Sequence, residues 1–221
     1  MTGGEIDAHI DSLRELWLTD SDLAFLRRLE PELLGRIVGE VRAHGERVHA
    51  GQRAMYEALA RASRFIPNFL LSKFSGGLGA YVLARITEHL EPKTAASLSR
   101  SYEPALLAEI SLHLQAGMVA SIAAHTSVDT LLEITDLLAK KGLSRRLGEI
   151  SDTLEESLLA KLVERMRDPE RIAAIAAHMH ALDKLQRVAR RLDVSRREAV
   201  ATALSARGHA QAAAVLTALR A

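Results

Sequence analysis

With 221 residues, 48% of them hydrophobic but only 4% aromatic, and a formal net charge of +1, the chain can fold one or two domains whose cores must be filled by Leu, Ala, Ile and Val. It has no cysteine, which excludes disulfides, thiolate metal sites and cysteine nucleophiles. Helix formers dominate, β-branched runs are missing, and each of the five prolines sits at a plausible helix edge, so an all-α protein is predicted.

The first residues carry Glu5, Asp7, Asp11 and Glu15 against Arg14, with no basic start and no apolar run. No secretory signal is expected, and a cytoplasmic location is the resulting expectation. Asp20 or Ser21 can cap a short helix bearing Leu23, Leu26 and Leu29, which Pro31 ends or redirects. From Glu32 the apolar positions Leu33, Ile37, Val38, Val41, Val48, Met55, Leu59 and Ala62 keep helical spacing, which predicts one longer helix softened near Gly45 and Gly51. Glu46 and His49 have the spacing of a di-iron half-site. Such a site needs a second copy and two further carboxylates, and none is recognisable, so both are read as surface residues. Arg61, Arg64 and Lys73 flank Phe65, Phe69 and Phe74 around Pro67, an aromatic hub on which the N-terminal helices are expected to dock. Ser75-Gly76-Gly77-Leu78-Gly79 then precedes a helix running to Leu90. Without a preceding strand or a Gly-Lys-Ser/Thr ending it meets no nucleotide fingerprint, so Gly76 to Gly79 read as a sharp helix–helix turn. Pro67, Lys73, the glycines and Arg85 interrupt the near-apolar stretches here, and neither could span a bilayer.

From His89 to Val188 one phrase recurs eight times: HLEPKTAASL (89–98), SYEPALLAEI (101–110), HLQAGMVASI (113–122), HTSVDTLLEI (125–134), KGLSRRLGEI (141–150), TLEESLLAKL (153–162), MRDPERIAAI (166–175) and MHALDKLQRV (179–188). The tenth position is always aliphatic and the seventh aliphatic or Ala. Being three apart, the two share one helix face. The eighth is mostly Ala or Gly, which lets a neighbouring helix come close, and the exceptions Leu132 and Gln186 predict looser joints. Pro92, Pro104 and Pro169 occupy the fourth position, where proline starts a helix, and Asp168 is a suitable N-cap. Helices of about nine residues are unstable alone, so they must stack. Antiparallel pairing of consecutive units predicts an α-solenoid over 89–221, with 1–88 as an N-terminal helical region docked on it.

Candidate chemistry is sparse. His178 and His180 are two apart and point to different helix faces. His89, His113 and His125 recur at the first repeat position without a carboxylate at fixed offset, so they are read as corner residues. No catalytic triad, paired carboxylates, metal site or cofactor motif stands out. Charge is uneven, however. Residues 181–221 carry eight basic and three acidic side chains. Arg187, Arg190 and Arg191 fall on one helical face with Arg196 and Arg197 just across a corner, a candidate partner-binding patch for phosphate or an acidic protein.

The phrases HLEPKTAASL and SYEPALLAEI resemble the units of the intracellular N domain of MgtE-type magnesium transporters and of the armadillo-like middle region of the flagellar switch protein FliG. The resemblance spans about residues 89–188 and is one of fold. It implies a right-handed superhelix of short antiparallel helices used for protein–protein contact. Only Pro169-Glu170 keeps the acidic residue usual after the helix-start proline in that family; Pro92 is followed by Lys93 and Pro104 by Ala105. No membrane segment or βαβ pattern follows the repeats. The expectation is a non-enzymatic scaffold or adaptor that binds a protein partner, or its own copy, along the array. The alternative is an acidic-ligand module, for nucleic acid or anionic membrane, using the five arginines.

Overall fold

In a computed structural model of the protein the described residues are 6–7, 9–13, 23–50, 52–63 and 79–220. Among them all regular structure is helical and there is no strand. No helix among them is long and apolar enough to cross a membrane. The chain divides into two compact units, Met1–Ala62 and Ser63–Ala221, so the segment from 79 to 88 counts with the array.

The first unit holds a short helix at 9–13 (α1), a 3-10 turn at Ala24–Arg28, and helices α2 (Pro31–Ala50) and α3 (Arg53–Ser63). The long helix expected from Glu32 to Ala62 is therefore two: α2 runs unbroken through Gly45, and the break falls between Ala50 and Arg53. Ile10, Leu13, Leu23, Leu26, Leu34 and Val38 form its core. Proline at the first position of α2 lacks only an N–H that would have no helical partner there. Arg27 donates from Nε to Asp7 Oδ1 at 3.0 Å and closes the 3-10 turn against the N-terminal segment.

The second unit is the array: α4 (79–87), α5 (Pro92–Ser99), α6 (Pro104–His113), α7 (Ala116–Ala123), α8 (Val128–Lys140), α9 (Ser144–Thr153), α10 (Glu156–Arg165), α11 (Pro169–Ala176), α12 (Leu182–Ala189), α13 (Val194–Ala206) and α14 (Ala210–Thr217). Every one of the eight phrases starts its helix at the fourth position. The structure adds three copies that sequence spacing left out. Residues 77–86 place Leu83, Ala84 and Ile86 at positions seven, eight and ten, and the copies at 191–200 and 207–216 end on Val200 and Leu216. Val200 and Leu216 are 0% and 1% exposed, so these late copies carry the same inward face. Arg197 at the seventh position of its copy had hidden the pattern there.

Helix length decides who touches whom. The close backbone approaches link each helix to the next but one, from α5 with α7 through to α12 with α14, rather than to its immediate successor. Only α8 and α13, 13 residues each, also lie along the helix that follows them. A rod of eight to ten residues is turned away by its corner before it can pack on its successor, whereas one extra turn is enough to do so. Both long helices end alike. Leu143 and His209 each donate back to the carbonyl five residues earlier, Leu138 and Leu204. The residue between is Gly142 in one and Gly208 in the other, at φ 74° and 81°, the left-handed cap that a Cβ disfavours. Ser127, Asp168 and Asp193 cap the starts of α8, α11 and α13 by accepting from Thr130 N, Glu170 N and Arg196 N.

The core follows the repeat columns. Positions seven and ten are buried in α9 to α12, as Leu147, Ile150, Leu159, Leu162, Ile172, Ile175, Leu185 and Val188. In α7 and α8 the same columns, Val119, Ile122, Leu131 and Ile134, are only half-buried. At the eighth column Gly148 sits so near the corner after α11 that a Cβ built on it would lie 2.7 Å from His178 Cβ and 2.8 Å from the His178 carbonyl. The exceptions Leu132 and Gln186 are half-buried, as is Ala120, while the other eighth-column residues of the eight phrases are buried; in the two late copies Glu198 and Ala214 at this column are exposed.

Candidate functional site

The five arginines singled out by charge lie on α12, its C-terminal corner and the first turn of α13, but they do not act as one surface. Arg187 donates from Nε to Glu156 Oε2 at 2.6 Å and from Nη1 to Asp183 Oδ2 at 2.9 Å. These two carboxylates hold its guanidinium pKa above the ordinary value, and the bond from Arg187 in turn holds the Asp183 carboxyl below its usual range. Arg196 turns back onto the C-terminus of α10, where it donates to the carbonyls of Glu164 at 3.1 Å and Val163 at 3.0 Å, and to that of Met166. Arg197 donates to the Leu219 carbonyl at 3.3 Å. Arg190 and Arg191 are exposed and make no side-chain hydrogen bond or ion pair among the described residues. Of the patch, these two remain available to a partner.

Arg196 belongs to a device that sequence reasoning missed. It stands at position six of its copy, and the same column holds Arg146, Arg171 and Lys184. Arg146 on α9 donates to the Ser111 carbonyl at 3.3 Å and to that of Leu114, at the end of α6. Lys184 on α12 donates to the carbonyls of Leu154 at 2.8 Å, Ser151 and Asp152, at the end of α9. Arg171 pairs with Asp136 of α8. In each case the cation meets the helix three units earlier. The last carbonyls of a helix have no partner within it and carry the negative end of its dipole, so a cation placed there supplies donors and charge together. The readable signal was a basic residue at one column in four copies, which a search for apolar periodicity passes over.

The remaining candidates stay separate. Asp152 accepts from His180 N at 2.9 Å and Ala181 N at 3.1 Å, capping the start of α12 from a distance, and its Oδ2 lies 3.1 Å from His180 Nδ1. The His178 ring faces His209 at a centroid distance of 6.0 Å. His113 meets the Tyr81 ring edge-on at 5.2 Å, while His89 is half-buried and His125 exposed. Arg85 lies over Tyr81 and donates to Glu88 at 2.8 Å and to the His113 carbonyl. Burial pushes the Glu88 carboxyl up despite the opposing charge of Arg85. Among the described residues no group of three His, Asp or Glu side chains could hold a metal ion. Gly79 takes φ 73° at the start of α4. Gly76 to Leu78, Arg64, Phe65, Phe69, Lys73 and Phe74 lie outside the described residues, as do the side chains of Glu46 and His49.

Fold and contacts together define, among the described residues, an all-helical repeat array in which Arg146, Lys184 and Arg196 brace its own helix ends. No family model, curated protein or solved structure matches the chain.

Proposed function

We propose that the protein is a non-enzymatic helical-repeat scaffold or adaptor that binds a protein partner, or a second copy of itself, along the array. The observation that supports it is the change in burial along the repeat. The stripe residues Val119, Ile122, Leu131 and Ile134 of α7 and α8 stay half-exposed, whereas their counterparts from Leu147 to Val188 are buried. A half-open aliphatic strip between well-packed units is where a partner gains most from contact. The likeness to the transporter N domain and the flagellar switch protein points the same way, towards a superhelix used in protein contact. The test compares wild type with Leu131→Arg, by sedimentation of the pure chain and by affinity capture from host extract. The charge is expected to abolish a captured partner or a self-associated species while helical circular dichroism is retained. A wild type that is monomeric and captures nothing the variant loses refutes the reading.

A second reading, binding of phosphate-rich ligands at the C-terminal arginines, is favoured by the exposed Arg190 and Arg191. It carries a quantitative expectation. Two free cations on duplex DNA give a slope of log affinity against log salt of about −1.8, so affinity falls about 12-fold between roughly 50 and 200 mM salt. Five free arginines would give about −4.5 and a fall of about 500-fold. Fluorescence anisotropy across that salt range separates the two, and the absence of measurable DNA or anionic-vesicle binding at the low end removes this reading.

A further inference from the structure

The corners after α11 and α13 bring two histidines together. His178 lies in the first and His209 in the second, and their rings meet edge to face with centres 6.0 Å apart. Both residues are half-buried. The backbone under each ring is fixed. His178 sits in the space left by Gly148 of α9, where a Cβ would come within 2.8 Å of the His178 Cβ and carbonyl. His209 donates its N–H to the Leu204 carbonyl at 3.0 Å and closes the cap whose glycine, Gly208, has φ 81°.

Packing does not call for a histidine at 209. Helices α8 and α13 share their length and their glycine cap, and at the matching corner the residue after the glycine is Leu143, packed on the aliphatic core. The surroundings then limit what the pair can hold. His180 points its Nδ1 at Asp152 Oδ2, 3.1 Å away, and no carboxylate joins His178 and His209 in a group of three metal-ligating side chains among the described residues. Two imidazole nitrogens without an anionic oxygen suit a transition ion that keeps water in its other positions, and not Mg²⁺ or Ca²⁺, which take oxygen ligands.

We propose that His178 and His209 form a binding site for a divalent transition cation of square-planar or tetragonal habit, Cu²⁺ or Ni²⁺. Ring spacing selects the geometry. An ion about 2.0–2.1 Å from an imidazole nitrogen lies about 3.2 Å from that ring's centre, so two rings on one ion have centres at most about 6.3 Å apart. The 6.0 Å spacing falls inside that limit, whereas a tetrahedral ion such as Zn²⁺ would draw the centres to about 5.1 Å. The wide nitrogen–metal–nitrogen angle that remains is one Cu²⁺ and Ni²⁺ accept. Turning each ring about its soft χ2 torsion aims a nitrogen at the shared ion while the ring centres stay in place. An ion held there clamps the corner before α12 to the corner before α14.

The test is nickel binding to the full chain, by equilibrium dialysis and by thermal denaturation in NiCl₂, with ZnCl₂ and MgCl₂ for comparison. Wild type is expected to hold one more nickel ion per chain than His209→Leu. At a nickel concentration about tenfold above the dissociation constant, its melting temperature should rise by about 3–5 °C, with a smaller rise in zinc and less than about 1 °C in magnesium. His209→Leu takes the residue of the matching corner and should lose the rise, as should His178→Gln, whereas His180→Gln should keep it. Should His209→Leu fail to fold, His178→Gln decides. The proposal is overturned by no rise with nickel in wild type, by an equal rise in folded His209→Leu or His178→Gln, by loss of the rise in His180→Gln, or by zinc or magnesium matching nickel.

Discussion

Replacing Gly148 with alanine is expected to destabilise the array by about 2–3 kcal/mol, although alanine is the better helix former. The added methyl would sit 2.7 Å from His178 Cβ and 2.8 Å from its carbonyl carbon and oxygen, two of them backbone atoms that no rotamer change can move aside. Either α9 or the corner after α11 must shift, and both are fixed by what packs on them: Leu147 and Ile150 on one side, Ile175 and Met179 on the other. For a chain of this length the melting temperature should fall by about 4–10 °C. Gly117 on α7 provides the opposite case. A Cβ there meets nothing within 4 Å, so Gly117→Ala should stabilise by about 0.5 kcal/mol from helix propensity alone. Thermal melts of the two variants should move in opposite directions. A Gly148→Ala melt at or above wild type would show that the eighth column does not set the helix spacing.

The second large effect concerns the arginines. Arg146→Ala and Arg196→Ala are each expected to lower stability by about 1.5–3 kcal/mol, because each removes a charged donor from helix-end carbonyls that are left partly buried and unsatisfied. Arg146 should lie at the upper end, its side chain being only 14% exposed. Arg190→Ala and Arg191→Ala remove side chains with no partner among the described residues and should stay within about 0.5 kcal/mol of wild type. Denaturant melts of the four variants separate bracing cations from free ones. Four equal results would dissolve that distinction. The contrast also governs how loss-of-binding data are to be read: a five-arginine substitution would weaken the fold and the surface together, whereas changing Arg190 and Arg191 probes the surface alone.

Much of the architecture could be read from local pattern. The eight helix starts at Pro92, Pro104, Ala116, Val128, Ser144, Glu156, Pro169 and Leu182 all fall at the fourth position of the phrase, since proline and capping residues act through their own turn of backbone. The inward stripe at positions seven and ten was equally legible, because three residues along a helix is a fixed rotation. The copies at 191–200 and 207–216 were not, because the first places Arg197 where an aliphatic residue or Ala was sought and so broke the run ahead of the second. The candidate site was legible only as a cluster of charge. Composition locates five arginines near one corner, but gives no sign that Arg187, Arg196 and Arg197 spend their donors on Glu156, the end of α10 and Leu219.

The order and edges of the helices, and the face each turns inward, are set by interactions within a few residues, and a chain of amino acids carries those on its surface as spacing. Which helix stacks on which depends on how far a rod of given length extends past its corner, and it is here that next-but-one packing replaced the neighbour pairing that spacing suggested. The fate of the bracing cations likewise hangs on carbonyls some 30 residues away, as Arg146 with Leu114 and Arg196 with Met166 show.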